Sequence, residues 1–341
     1  MAQAQPQKTA APGVETLIQM HWAGMASRAL SSAVQLRVFS HIAAGHTTSK
    51  EIARAAGASE RGIRMLLNAL VGYEFLSKSG DRYGLTPLAS EYLVQDSPNY
   101  MGHIMEIGDL MELPWEHLTE TIRTGRPFHR VEEQGMAEQF FPRLVRSLHV
   151  LNREPARSAA QALCGSDSRS DMQVVDLGCG SGVWGIAIAE ANPLARITAQ
   201  DFPGMLDVTR EFVKRHGVAE RYDFLAGDVK HLHLGQNRFD LAILGNVVHS
   251  EGEQSSRDLF KRVFRAMRSR GKIAIIDMIP NDDRTGPAYP LLFALNMLVH
   301  TEAGDTYTLP EYTAWLNEAG FRRVETADIG SPSPMIVGTK D

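Results

Sequence analysis

Two textures divide the chain. From Val14 to about Leu163, apolar residues recur at helical spacing almost throughout. Val34, Val38 and Ile42 fall at i, i+4 and i+8 on one such stretch, with Phe39 beside them. The spacing predicts a short helix over 48–56, and Ala58-Ser59-Glu60-Arg61 reads as a cap in front of a longer helix over 62–75. Residues 78–85 predict two short strands around a Ser-Gly-Asp turn. After about residue 171 short apolar runs alternate with helix-like segments, and strands are expected at 173–177, 196–200, 222–226, 239–244 and 271–278. Such alternation predicts a parallel, doubly wound sheet whose ligand lies over the carboxyl ends of the strands. The polar, Ser-rich run 165–171 marks the expected boundary, giving domains at 14–163 and 171–341 behind a polar lead of 13 residues without fixed structure.

Helix, helix, helix, hairpin in the first half is the order of a winged helix, which raises DNA binding as a reading. Its second long helix carries Arg64 as its one arginine and an apolar majority, whereas a groove-reading helix needs several polar or cationic side chains. An apolar helical domain packed on a partner subunit fits that surface better.

Composition narrows the field further. With 341 residues, 43% hydrophobic and 22% charged, the chain is an ordinary globular sequence long enough for two cores. Its net charge of −5 gives little drive towards nucleic acid or an anionic membrane, and residues 1–150, with 14 basic and 15 acidic side chains, hide no basic half. Cys164 and Cys179 allow at most one bridge and lie in no metal-ligand spacing, so no metal is expected and a reducing compartment is. No stretch approaches the ~18–20 apolar residues of a membrane span. The opening residues lack the apolar core of a signal peptide, so a cytoplasmic protein without nucleic acid or membrane partners is expected.

The chemistry gathers in the second half. Val174-Val175-Asp176-Leu177-Gly178-Cys179-Gly180-Ser181-Gly182 is a buried strand entering a glycine-rich turn at a helix N-terminus, where backbone can approach a nucleotide-type ligand. Gly180-x-Gly182-x-x-Gly185 also satisfies the dinucleotide pattern, so the glycines alone do not choose between a nicotinamide cofactor and S-adenosyl-L-methionine. Three acids favour the second. Asp176 precedes the glycines, where a pyrophosphate would avoid negative charge but a cationic sulfonium amino acid would not. Asp201, in Gln200-Asp201-Phe202-Pro203, ends the next strand and is placed to accept both ribose hydroxyls. Asp228, in Gly227-Asp228-Val229, ends the third strand and can accept the adenine amino group.

These spacings resemble the class I S-adenosylmethionine-dependent methyltransferases. With Asn246-Val247-Val248-His249 and the terminal run from Ser333 to Lys340, the chain from Val14 to Lys340 is similar to the small-molecule O-methyltransferases of plant phenylpropanoid, hydroxyindole and bacterial polyketide or bacteriochlorophyll type. The resemblance implies a Rossmann-like α/β domain with a mostly parallel sheet and an antiparallel C-terminal strand. A helical winged-helix domain would precede it, dimerising and forming a substrate lid. It implies S-adenosyl-L-methionine held by Asp176, Gly178, Gly180, Asp201, Phe202, Asp228, Val229 and Asn246, and a small-molecule acceptor.

His249 stands where the family carries its general base, and an imidazole can take a phenol proton as the methyl moves in line from sulfur to oxygen. Of the two acids that orient it, Asp277 matches the first as Asp for Glu. The place of the second is Thr306, with Asp305 and Glu302 nearby and Asp305 the expected substitute. The stretch 140–149 resembles the helix lining the acceptor pocket and 293–300 its opposite wall, which nominates Phe141, Leu148, His149, Asn296 and His300. Arg143, Arg146, Arg153 and Arg284 are further cations available to a carboxylate-bearing acceptor. Two departures stand out: Ser250-Glu251 follows the histidine in place of Asp-Trp, and Gly245 occupies the position of a cofactor-contacting lysine in plant members. Sulfur methylation of a thiol or thioether acid is the alternative within the class, and a nucleotide-sensing winged-helix transcription regulator the alternative outside it.

Overall fold

The structure is a computed structural model that describes residues 13–128, 134–165 and 171–341. Its contacts define two compact units, one ending at Gly108 and the other beginning at Asp109. The Ser-rich run expected as the boundary falls largely on 166–170, outside the described residues, as does the polar lead up to residue 12.

The first unit comprises α1 (Val14–Gln35), α2 (Val38–Ala43), α3 (Ser49–Ala55), α4 (Glu60–Gly72), β1 (Leu76–Ser79), β2 (Arg82–Leu85), α5 (Pro87–Tyr92) and α6 (His103–Glu106). Thr48 and Glu51 close a reciprocal capping box on α3, and Ser59 accepts the Gly62 N–H to start α4. Helix α4 stops three residues before the expected 75, because Glu74 turns left-handed at φ 59° and frees the chain to enter β1. The expected stripe of Val34, Val38, Phe39 and Ile42 points inward against Ile52, Ile63, Leu67 and Leu70. β1 and β2 pair antiparallel around Gly80, whose φ of 61° suits a residue without a Cβ.

The second unit begins with α7 (Gly108–Glu116), α8 (Leu118–Thr124) and the long α9 (Gln134–Cys164). The alternating part follows as β3 (Gln173–Leu177), α10 (Val183–Ala191), β4 (Arg196–Asp201), α11 (Pro203–Arg215), β5 (Tyr222–Ala226) and β6 (Phe239–Gly245). Then come α12 (Val248–Glu251), α13 (Glu253–Ala266), β7 (Met267–Ile276), α14 (Ala288–His300), α15 (Leu309–Ala319), β8 (Arg322–Ala327) and β9 (Met335–Thr339). Helix α9, expected with the N-terminal helices, packs on α10 and α11.

Seven strands form one sheet in the order β5-β4-β3-β6-β7-β9-β8. All pairs from β5 to β7 are parallel, and β9 runs antiparallel to both neighbours. The strand alternation sends Val174 to the core under α9, α10 and α11, and Val175 and Leu177 to the core under α13 and α15. β7 is longer at its start than expected, with an irregular register where Phe239 faces Met267 and Leu241 faces Lys272. It ends at Ile276 rather than 278, since the Asp277 carboxylate captures the Met278 N–H and removes it from the ladder. The strand order reverses between β3 and β6, and at such a switch point a crevice lies outside the carboxyl ends of the strands. Cys164 and Cys179 are buried free thiols, and no helix among the described residues is long and apolar enough to cross a membrane.

Candidate active site

Strand ends β3, β4 and β5 and the turn after β3 build one side of the crevice. Gly178, Gly180 and Gly182 all have positive φ, at 59°, 55° and 75°. A Cβ on Gly178 would strike Val247 at 2.7 Å, and one on Gly180 would press on Val145 at 3.2 Å, so the turn is packed from both sides as tightly as glycine permits. It is tied to β4 by Cys179 N–H donating to the Gln200 carbonyl at 3.0 Å and Gly180 N–H donating to Asp201 Oδ2 at 2.8 Å. Gln200, buried at the same strand end, accepts from Gly178 N–H and donates to the Gly227 carbonyl, joining the ends of β3 and β5 across β4.

Three acids sit where expected, at successive strand ends. Asp176 is fully buried beneath the turn; Oδ2 accepts the Gly185 N–H at 3.0 Å, while Oδ1 has no partner. Burial pushes its carboxyl up to about 8. Asp201 binds two backbone donors, Gly180 and Phe202, and its carboxyl lies above the ordinary range because burial outweighs those bonds. Each carboxylate oxygen keeps a second lone pair for a hydroxyl. Asp228 Oδ1 accepts the Lys230 N–H at 2.8 Å, Val229 is half-buried beside it, and Phe202 is exposed at the crevice edge. Strand-end carboxyls on a backbone cradle, with the nearby Lys230 ammonium drawn to Glu251, suit a ligand bearing two hydroxyls and an amino group better than a pyrophosphate.

Across the crevice lie the ends of β6 and β7. Asn246 turns left-handed at φ 60°, its N–H held by the Ile276 carbonyl at 2.8 Å, and this bend starts the short helix α12. His249 on α12 is buried, and its Nδ1 lies 2.5 Å from Asp277 Oδ1. Asp277 also accepts the backbone N–H of His249 at 3.1 Å and of Met278 at 2.8 Å, and the Tyr312 hydroxyl donates to it at 3.3 Å. Four donors therefore fix one carboxylate, and it fixes the ring. Phe293 on α14 meets the His249 ring edge to face at 4.9 Å.

The remaining candidates scatter. Asp305 supports the histidine through the backbone, its N–H donating to the His249 carbonyl at 2.9 Å, while its carboxylate accepts the Thr306 N–H at 2.7 Å. Thr306 is buried with an unpartnered hydroxyl, and Glu302 is exposed. Asn296 accepts from Trp115 Nε1 at 3.1 Å. His300, one turn further on, is buried with Nδ1 on the Asn296 carbonyl at 2.8 Å, and burial lowers its basicity. Phe141 packs edge-on against Phe140, and Leu148 is half-buried on α9. His149, nominated for the acceptor wall, turns to the glycine turn, with Nδ1 3.1 Å from Ser181 Oγ. Of the proposed pocket cations, Arg146 is paired with Glu211 and Arg284 with Glu311, while Arg143 is exposed and Arg153 lies 3.9 Å from Glu154. Reasoning from sequence missed Gln200, Thr209 and Tyr312. For Gln200 the signal was an amide placed just before the strand-end acid in a buried strand.

A glycine turn and strand-end acids on a seven-stranded sheet with one antiparallel strand define a Rossmann-like methyltransferase. Residues 115–322 match the family model described as O-methyltransferase domain, and residues 19–95 match the O-methyltransferase dimerisation domain, so the chain belongs to the small-molecule O-methyltransferase family. It is 32% identical to the tetracenomycin polyketide synthesis 8-O-methyl transferase TcmO of Streptomyces glaucescens, over 96% of this chain and 97% of that protein. It is 32% identical to the acetylserotonin O-methyltransferase of Bos taurus, over 93% of this chain and 94% of that one. Its fold superposes on human N-acetylserotonin methyltransferase in complex with S-adenosylmethionine with a TM-score of 0.84 and 26% identity, covering 98% of this chain and 99% of the other. The chain is an S-adenosylmethionine-dependent O-methyltransferase acting on small molecules. These relatives give neither the sulfur-methylating nor the regulator alternative any support.

Proposed function

We propose that the enzyme methylates a phenolic hydroxyl of a planar aromatic acceptor, with His249 as general base and Asp277 as the acid that orients it. The observation that carries this reading is the buried His249–Asp277 pair at 2.5 Å. With Nδ1 engaged by the carboxylate, the imidazole has Nε2 left to take a proton. The carboxylate also favours the imidazolium that forms when the phenol gives its proton up, much as in other His–Asp pairs. S-adenosylmethionine, when bound, supplies an electrophilic methyl on a sulfonium. Asp201 and Asp228 would hold its hydroxyl and amino groups, and the Gly178–Gly182 backbone would line its amino-acid end. Asp176, neutral when alone at pH 7, stands under that end as a carboxyl that a nearby cation would help to ionise. The protein's part in the rate is then alignment of acceptor oxygen and methyl, together with removal of one proton at Nε2.

The aromatic wall fits such an acceptor, since Phe293 on α14 meets the His249 ring and Tyr289 lies one turn earlier against Phe293. Two relatives are by name an 8-O-methyl transferase of tetracenomycin polyketide synthesis and an acetylserotonin O-methyltransferase, which supports an oxygen acceptor. Incubation with labelled S-adenosylmethionine and a panel of mono- and polycyclic phenols, thiols and thioethers tests it. Transfer to sulfur acceptors with none to any phenol would refute the reading.

The region matched by the dimerisation model supports a homodimer, with a winged-helix unit over the first hundred residues; the longer 14–163 segment would be its functional extent and 171–341 the catalytic part. Leu17, Met20 and Trp22 on α1 are 68%, 73% and 58% exposed, a cost in water that a twin helix would remove. A monomeric mass at micromolar concentration in solution would count against this assembly. A cytoplasmic setting agrees with two free thiols.

A further inference from the structure

Helix α9 forms a hydrogen bond to the glycine turn through His149. His149 is only 5% exposed, an unusual state for an imidazole without a carboxylate partner. Its Nδ1 and the Ser181 hydroxyl are joined by a hydrogen bond at 3.1 Å, and Ser181, itself 3% exposed, is the residue between Gly180 and Gly182. The ring stacks on Phe212 of α11 at 4.0 Å and 28°. One turn earlier on α9, Val145 is the side chain that would collide with a Cβ on Gly180. Helix α11 grips the same turn from its own side, Thr209 Oγ1 donating to the Gly180 carbonyl at 2.7 Å.

The turn is therefore held from three directions: by Asp201 and the Gln200 carbonyl on β4, by Thr209 on α11 and by His149 on α9. Of these, only His149 contacts the side chain of the turn's serine. Glycines with positive φ on either side leave that serine's backbone free to choose other conformations, so a fixed side chain is an economical way to select one. Burial drives the imidazole down to about 3, aided by His216, Arg153 and Arg215, so the ring is neutral across the working range and its Nδ1 either donates to or accepts from the Ser181 hydroxyl according to the tautomer.

We propose that His149 is a positioning residue for the cofactor: clamped between Ser181 and Phe212, it holds the Gly180–Gly182 backbone in the conformation that receives S-adenosylmethionine. It would not touch the reacting atoms. This rests on the cofactor assignment, which holds whatever the acceptor proves to be.

The test is a double-mutant cycle read by calorimetric binding of S-adenosylhomocysteine, with thermal melting of each variant alongside. His149→Phe keeps the stacking on Phe212 and removes the hydrogen bond; Ser181→Ala removes it from the other side; His149→Gln can restore it. Each of the first two should weaken binding about tenfold, equivalent to about 1.4 kcal/mol, and the double variant should be no worse than the worse single. His149→Gln should recover most of the loss, and the acceptor KM at saturating cofactor should stay unchanged. Unaltered cofactor affinity in both single variants, or losses that simply add in the double, would overturn the proposal. If His149→Phe does not fold, Ser181→Ala decides alone: tenfold weaker binding supports the clamp and unchanged binding overturns it. A failure of wild type to bind the homocysteine product at all would instead strike at the cofactor assignment.

Discussion

The two sides of the crevice are built by different means. On the glycine side, backbone does most of the holding: left-handed glycines, N–H groups aimed at strand-end carboxylates and carbonyls, and an amide that bridges strand ends. On the histidine side, a single side chain does the holding, the Asp277 carboxylate collecting a ring nitrogen, two backbone N–H groups and a tyrosine hydroxyl. A cofactor common to a whole class can be read by backbone, which barely varies with sequence. An acceptor that differs between enzymes needs side chains that can change without disturbing the sheet. Damage should therefore separate, with affinity for the cofactor lost on one side and turnover on the other.

His249→Ala should give the largest effect and the cleanest separation. Loss of a general base is expected to lower kcat by about 10²–10⁴, while calorimetric affinity for S-adenosylhomocysteine stays at the wild-type value. A parallel loss of affinity would erase the contrast between the two sides.

Asp176 sharpens the contrast through stability. Its folded value of about 8 stands above the ordinary 3.8, so the unfolded chain releases this proton first. Its contribution to stability is fully present below about pH 4 and is lost as pH rises towards 8. Asp176→Asn keeps an acceptor for the Gly185 N–H and does not titrate. Relative to wild type, the variant should gain stability progressively from pH 5 to 8, by on the order of a few kcal/mol, read as a pH-dependent rise in its melting temperature over that of wild type. A difference independent of pH would mean that the acid is ionised in the fold.

Asp201→Ala comes next. It removes the carboxylate from two backbone donors and, on the proposed role, from the cofactor's hydroxyls, and should weaken cofactor binding by about 1.5–3 kcal/mol with kcat at saturation nearly intact. A drop in kcat of the size seen for His249→Ala would place Asp201 in the chemical step and break the division. The smallest effect is expected far from either side: Thr48→Ala, which opens the capping box of α3, should cost about 1 kcal/mol by denaturant unfolding and leave both affinity and turnover unchanged.

The cofactor side was largely legible in the sequence because it is local. A buried strand, glycines at set intervals and an acid at each strand end lie within short windows, and chain geometry alone brings Asp176, Asp201 and Asp228 to one edge of the sheet. His249 was legible for the same reason, as the residue following a strand end. Its partners were less so. Tyr312 comes from a helix that starts 60 residues later and reaches Asp277 only because α15 packs on α13. Asp305 was expected to act through its carboxylate, yet the loop presents its N–H to the histidine carbonyl and folds the carboxylate onto Thr306.

The sequence by itself determined the order of elements, the parallel sheet and the strand-end positions of the three acids and of His249, since periodicity and strand-end position follow from local steric and hydrogen-bonding rules. Tertiary structure alone decided which way the side chains of α9 turn. Phe141 and His149 lie eight residues apart on one helix, and nothing in helical spacing says that His149 stacks on Phe212 and bonds Ser181. That outcome depends on how α9, α10 and α11 pack over the sheet, a balance of burial and hydrogen bonding among residues more than 30 positions apart.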